Sequence, residues 1–77
     1  MELEKETALV ETILFLESEP VNEKAIAKIA QLSEEVVRQC LEHLKVRCQG
    51  ADSGIELDMI AGGWTLVPKK EFWSVLR

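Results

Sequence analysis

Cys40, His43 and Cys48 lie close together in the chain, and these are residue types that a disulfide, a reactive thiolate or a metal centre would use. Their spacing argues against each. On one helix the two cysteines stand about 12 Å apart at ~1.5 Å rise per residue, whereas a disulfide needs Cα atoms within about 7 Å. A metal site would need ligands that the chain lacks, so both residues are expected to be reduced thiols used for packing, as in a cytosolic protein. His43 has no Asp or Glu pattern around it that would make it a general base, and is read as a partly exposed structural residue. Ser18, Ser33, Ser53 and Ser74 lack any neighbouring base. Gly62-Gly63 is followed by neither a Lys-Ser pair nor a helix, so it does not read as a phosphate cradle. No enzyme, metal or cofactor is expected.

The elements that would hold these residues point elsewhere. Helix one is expected over about Glu4 to Glu17, with Leu9, Ile13 and Leu16 in one stripe at ~100° per residue, flanked by Val10 and Leu14 on one side and Ala8 and Phe15 on the other. That arc exceeds what a surface helix buries. Either the helix is deeply embedded or a partner chain covers its second face. Ser18-Glu19-Pro20 ends it. Asn22 caps helix two, with Val21 and Ile26 as a hydrophobic staple and Ala25, Ile26, Ile29 and Ala30 as its apolar set. After the turn Gln31-Leu32, Ser33 caps helix three, which buries Val36, Val37, Cys40, Leu41, Leu44 and Cys48 and ends near Gly50. The period then changes to two: Ile55, Leu57 and Met59 alternate with Glu56 and Asp58, and Trp64 and Leu66 with Thr65 and Val67. Gly62 and Gly63 are expected to supply the positive φ of a tight hairpin, and Pro68 to stop its second strand. "KKEFWSVLR" reads as a short C-terminal helix whose Phe72, Trp73 and Leu76 close over the core or a partner. The pattern predicts a mainly α winged helix: three helices, a two-stranded wing and a short fourth helix, forming one domain over 1–77.

A winged helix suggests DNA, but the charges oppose it. Fourteen acids against nine Lys and Arg give a net charge of −5, where a nucleic-acid-binding domain carries a basic footprint. Helix three opens with Ser33-Glu34-Glu35, at the end that specific readers place against base edges. Its outer face offers Glu34–Arg38, Arg38–Glu42 and Glu42–Lys45 as pairs within the helix. The wing "MIAGGWTL" has no Lys or Arg to follow the backbone. The rival reading, a DNA-binding transcriptional regulator, requires Lys24, Lys28, Arg38, Lys45, Arg47, Lys69 and Lys70 to gather on one face. The chain is also too short of apolar runs to span a membrane, and "MELEKET" does not resemble an export signal. Function is therefore sought on apolar surfaces, with Val10, Leu14, Trp64 and Trp73 as interface candidates; for the two tryptophans a place in the core is an equal alternative.

"ETILFLESEP", the helix pair after it, and "GIELDMIAGGWTLVPKKEF" together resemble the N-terminal winged-helix domain of the segregation and condensation protein B family. The hairpin is the most specific part. Ser18 and Val67 depart from residues that the family often carries at those places, without disturbing the buried pattern. The resemblance implies a longer two-domain protein of which this is the N-terminal domain. It also implies a non-enzymatic subunit of the bacterial chromosome-condensation and segregation complex, cytoplasmic and nucleoid-associated. Its implied partners are a second copy in a homodimer, the kleisin subunit (segregation and condensation protein A) and an SMC-type ATPase, with no specific DNA binding and no membrane.

Overall fold

A computed structural model describes residues 3–76. In chain order the elements are α1 (Glu4–Leu16), α2 (Glu23–Ala30), α3 (Glu34–Cys48), β1 (Ile55–Ile60), β2 (Gly63–Pro68), a 3-10 turn (Lys70–Phe72) and α4 (Trp73–Leu76). The two caps read from the sequence are both made. Asn22 Oδ1 accepts the N–H of Ala25 at 2.8 Å and Ser33 Oγ accepts that of Val36 at 3.1 Å, each satisfying a donor that the first helical turn leaves open. Between them the chain reverses on Gln31, which adopts the left-handed conformation at φ 59°. The result is a helix-turn-helix with α1 laid against both members.

The core is the inner stripe of all three helices. Val10, Leu14, Ile26, Val37, Cys40, Leu41, Leu44 and Cys48 are buried, and Leu57, Trp64 and Leu66 of the hairpin pack over them. Ile29, assigned to the buried set of α2, is instead 54% exposed, and Ala27 takes the inward position. One step of ~100° on so short a helix carries a side chain from the core to its rim. Cys40 and Cys48 are both free and buried.

The hairpin pairs Ile60 with Gly63 across a two-residue turn and runs in register to Ile55 and Pro68. The turn residues with positive φ are Ala61 at 51° and Gly62 at 79°. Gly63, expected to share that conformation, does not. Its requirement for glycine is steric, because a Cβ there would lie 2.8 Å from the Pro20 carbonyl carbon and 2.9 Å from Val21 N. That close approach lets the segment before α2 add itself to the sheet. Val21 N–H donates to the Trp64 carbonyl at 2.9 Å, and Trp64 N–H returns a bond to the Val21 carbonyl at 2.8 Å. The wing is thus fastened to the helical layer through β2.

After β2, Lys69 N–H donates to the Gly54 carbonyl at 2.9 Å and Lys69 Nζ donates to the Gly50 carbonyl at 2.9 Å. These bonds tie the loop after α3 to the chain leaving the sheet. Trp73 Nε1 donates to the Pro68 carbonyl at 2.9 Å and holds α4 against the end of β2.

Candidate interaction surface

The interface candidates of the sequence divide sharply. Val10 is fully buried and Leu14 is 3% exposed within the single chain. Their side chains pack into this chain's own core. The wide apolar arc of α1 resolves with Val10, Ile13 and Leu14 inward and Leu9, Phe15 and Leu16 outward. Trp64 is half-buried against the core, and its Nε1 is inaccessible and without a hydrogen-bond partner among the described residues. Trp73 is 51% exposed, with its ring lying at the surface and its N–H bound to Pro68.

What the sequence pointed to only in outline is where the exposed apolar residues meet. Phe15 and Thr12 of α1, with Ile55 and Leu66 of the hairpin, line a cleft of about 180 Å³ bordered by Glu11. Ile55 is shared with a second groove of about 390 Å³, lined by Gly54, Pro68, Phe72, Val75 and Leu76. Phe15 and Val75 are each 78% exposed, and Leu16 and Leu76 are nearly as open. The apolar surface therefore runs from the C-terminal end of α1, across the start of β1, to α4. Contiguous exposure of this kind marks contact with another polypeptide more often than it marks scattered surface residues. Phe15, Ile55, Val75 and Leu76 were the residues to add to the candidates. The available signal was the excess of apolar side chains in α1 and in the C-terminal segment.

The helix-turn-helix surface has the opposite character. Arg38, expected to pair with Glu34 or Glu42 inside α3, instead directs Nε to Glu23 Oε1 of α2 at 3.0 Å. Arg47 Nη2 meets Glu11 Oε1 of α1 at 3.0 Å. Both pairs are partly exposed, a class worth about 0–1 kcal/mol each, but both brace neighbouring helices. With Lys69 held by Gly50, three of the seven cations that a DNA-binding face would need are engaged within the chain. Glu35 and Glu42 remain exposed on α3, and the wing tip presents Ala61 and Gly62. The exposed acids and the engaged arginines disfavour a groove-reading surface.

The residues that could have carried chemistry lie apart from this surface or inside the core. His43 is exposed on α3. Burial pushes the Cys48 thiol above its ordinary value near 9.0; Arg47 opposes that push and Glu11 adds to it. Cys48 is therefore protonated near neutral pH and a poor nucleophile. Among the described residues no group of three or more His, Cys, Asp or Glu stands close enough to hold a metal ion, and no helix is long and apolar enough to cross a membrane.

Comparison with known proteins agrees with this geometry. The family model described as segregation and condensation complex subunit ScpB matches residues 8–77. A crystal structure of a dimer of the ScpB N-terminal domain, complexed with a ScpA peptide, is 31% identical with a TM-score of 0.90, over 99% of this chain and 90% of that one. ScpB from Mycobacterium tuberculosis is 22% identical, with a TM-score of 0.88 over 99% of this chain and 48% of that one. A conserved hypothetical protein from Chlorobium tepidum shares the fold at 21% identity and a TM-score of 0.77, over 99% of this chain and 50% of its own. The chain thus spans about half the length of the two longer relatives. No curated protein matches significantly. The helix-turn-helix whose Arg38 is tied to Glu23, the wing bolted to Val21 and a family match that takes in nearly every residue lead to one assignment: the chain belongs to the ScpB family of segregation and condensation complex subunits.

Proposed function

We propose that this chain is a non-enzymatic interaction subunit of the segregation and condensation complex that homodimerises and engages a kleisin subunit, in the cytoplasm and at the nucleoid. The observation that carries the reading is the apolar surface from Phe15 and Leu16 across Ile55 to Phe72, Val75 and Leu76. Support also comes from the relative crystallised as a dimer of the ScpB N-terminal domain with a ScpA peptide, which shares 31% of its residues with this chain. The SMC-type ATPase is the third partner that the family resemblance implies. A second winged helix downstream belongs to the same proposal, supported by relatives of about twice this span.

In place of Val10 and Leu14, the pairing residues are Phe15 and Val75, with Trp73 retained at the margin. Trp64 serves the core. A concentration series by sedimentation is expected to give a dimer. Phe15→Asp and Val75→Asp should each weaken it by about 2 kcal/mol or more, roughly 30-fold in Kd. Because both side chains are 78% exposed in the single chain, the melting temperature of the dilute variants should match that of the dilute parent. A parent that remains monomeric at every concentration overturns the dimer; unchanged association in both variants overturns the assigned surface.

A further inference from the structure

The hairpin has two edges, and its register tells what each offers. Trp64 exchanges both backbone hydrogen bonds with Val21, so its N–H and C=O point away from Met59, the residue opposite it in the sheet. Hydrogen-bonded and non-hydrogen-bonded pairs alternate along an antiparallel ladder. Met59–Trp64, Leu57–Leu66 and Ile55–Pro68 are therefore the non-bonded pairs. It follows that the N–H and C=O groups of Ile55, Leu57 and Met59 face outward from the far edge of β1, where no further strand is paired among the described residues. Side chains cover part of that edge. Ser53 Oγ donates to the Ile55 carbonyl at 3.1 Å, and Met59 N–H donates to Asp58 Oδ1 at 2.9 Å. Leu57, between them, has neither of its outward groups so engaged.

We propose that this edge receives an extended cationic polypeptide segment, with Lys or Arg at alternate positions, by addition of a strand to β1. The inference rests on the reading of the chain as a protein-binding subunit, and names the chemistry of one partner. An open edge invites pairing of any strand; the acids decide which. Leu57 packs on the core, so Glu56 and Asp58 alternate to the other side of the strand, Asp58 exposed and Glu56 half-buried at the rim of the cleft that Lys45 and Lys69 also line. A second copy related by a two-fold axis would pair antiparallel, matching outward-facing residues with one another. Every register that pairs Leu57 with Ile55, Leu57 or Met59 of the copy sets Glu56 against Glu56, Glu56 against Asp58, or Asp58 against Asp58, and like charges directly opposite are destabilising. A foreign strand hydrogen-bonded at Leu57 places its two flanking side chains beside Glu56 and Asp58, where cations fit. A cation beside Asp58 also draws its carboxylate off the Met59 N–H and frees that donor for the ladder. On the core side the edge is bordered by Lys45 and Gln49 of α3, so the partner's cations belong on the solvent face.

The test titrates the isotope-labelled chain with a synthetic peptide of alternating Lys and Val, with the same peptide carrying Glu for Lys, and with a Lys peptide N-methylated on alternate backbone nitrogens. The Lys peptide is expected to shift the amides of Leu57 and Met59 and to slow exchange of the Leu57 amide about tenfold. The Glu and N-methylated peptides should bind at least tenfold more weakly, and Glu56→Lys combined with Asp58→Lys should reverse the preference. Absence of shifts at millimolar Lys peptide, shifts confined to other residues, or equal binding of the N-methylated peptide overturns the proposal. Light scattering on the same samples reports the dimer separately, so loss of edge binding with an intact dimer defeats only this inference, and a monomeric parent defeats the reading beneath it.

Discussion

A methyl group added at residue 63 would press on the Pro20 carbonyl carbon and the Val21 nitrogen, both backbone atoms that cannot rotate aside. Gly63→Ala is therefore expected to destabilise the chain by about 1–3 kcal/mol, the range for forcing atoms into a filled site, as read from urea denaturation. Amide exchange should localise the damage to the Val21–Trp64 pair. Nothing in the residues "AGGW" separates the two glycines by role. Turn chemistry led us to expect positive φ at both, since the sequence carries the demand for a hairpin but not the approach of Pro20 from more than forty positions earlier. The burial of Val10 and Leu14 was hidden in the sequence for a related reason. On a helical wheel a wide apolar arc has no marked centre, and only the positions of α2 and α3 decide which part of it is inward. Capping, by contrast, is local, and Asn22 and Ser33 were read correctly because donor and acceptor lie three residues apart.

The wing is the element where local preference and observed backbone disagree. Its two-residue turn places Ala61 at φ 51°, a left-handed conformation that costs a residue with a Cβ about 1–2 kcal/mol. Hairpins with positive φ at both turn positions favour Asn-Gly. Ala61→Asn is expected to stabilise the fold by up to about 1 kcal/mol, a rise of roughly 4–8 °C in Tm for a chain of this size. Calorimetry would decide it, and the exposed position keeps packing out of the measurement. The presence, type and order of the three long helices and both strands were legible from apolar period and caps. The third line of the sheet was not. A single residue, Val21, makes it, and one residue has no period to read. The charge pairs were mislocated for the same kind of reason: spacing within α3 offers Arg38 two acids of its own, yet Glu23 on the adjoining helix takes it.

At the scale of the molecule, charge and apolar surface are segregated. The chain measures 38 × 26 × 17 Å, and its net charge of −5 sits on a fold whose groove-facing helix has lost its free arginine. The class of function was legible from those bulk properties, whereas the surface proposed to perform it was not, because Phe15, Ile55 and Val75 are far apart in sequence and only the tertiary fold sets them side by side. The placement of the two indoles has a practical corollary. Trp64 lies against aliphatic side chains with its nitrogen shielded, while the ring of Trp73 stands half in solvent beside the apolar groove. Water relaxes around an excited indole and lowers the energy of the emitted light, so within the ultraviolet Trp64 should be the blue-shifted emitter and Trp73 the red-shifted one. When two subunits meet, only the red component should move toward shorter wavelength, and a Trp73→Phe chain should show no such change. A rise in the blue component's wavelength would instead report unfolding. The chain thus carries one lamp for association and another for integrity, with no dye attached.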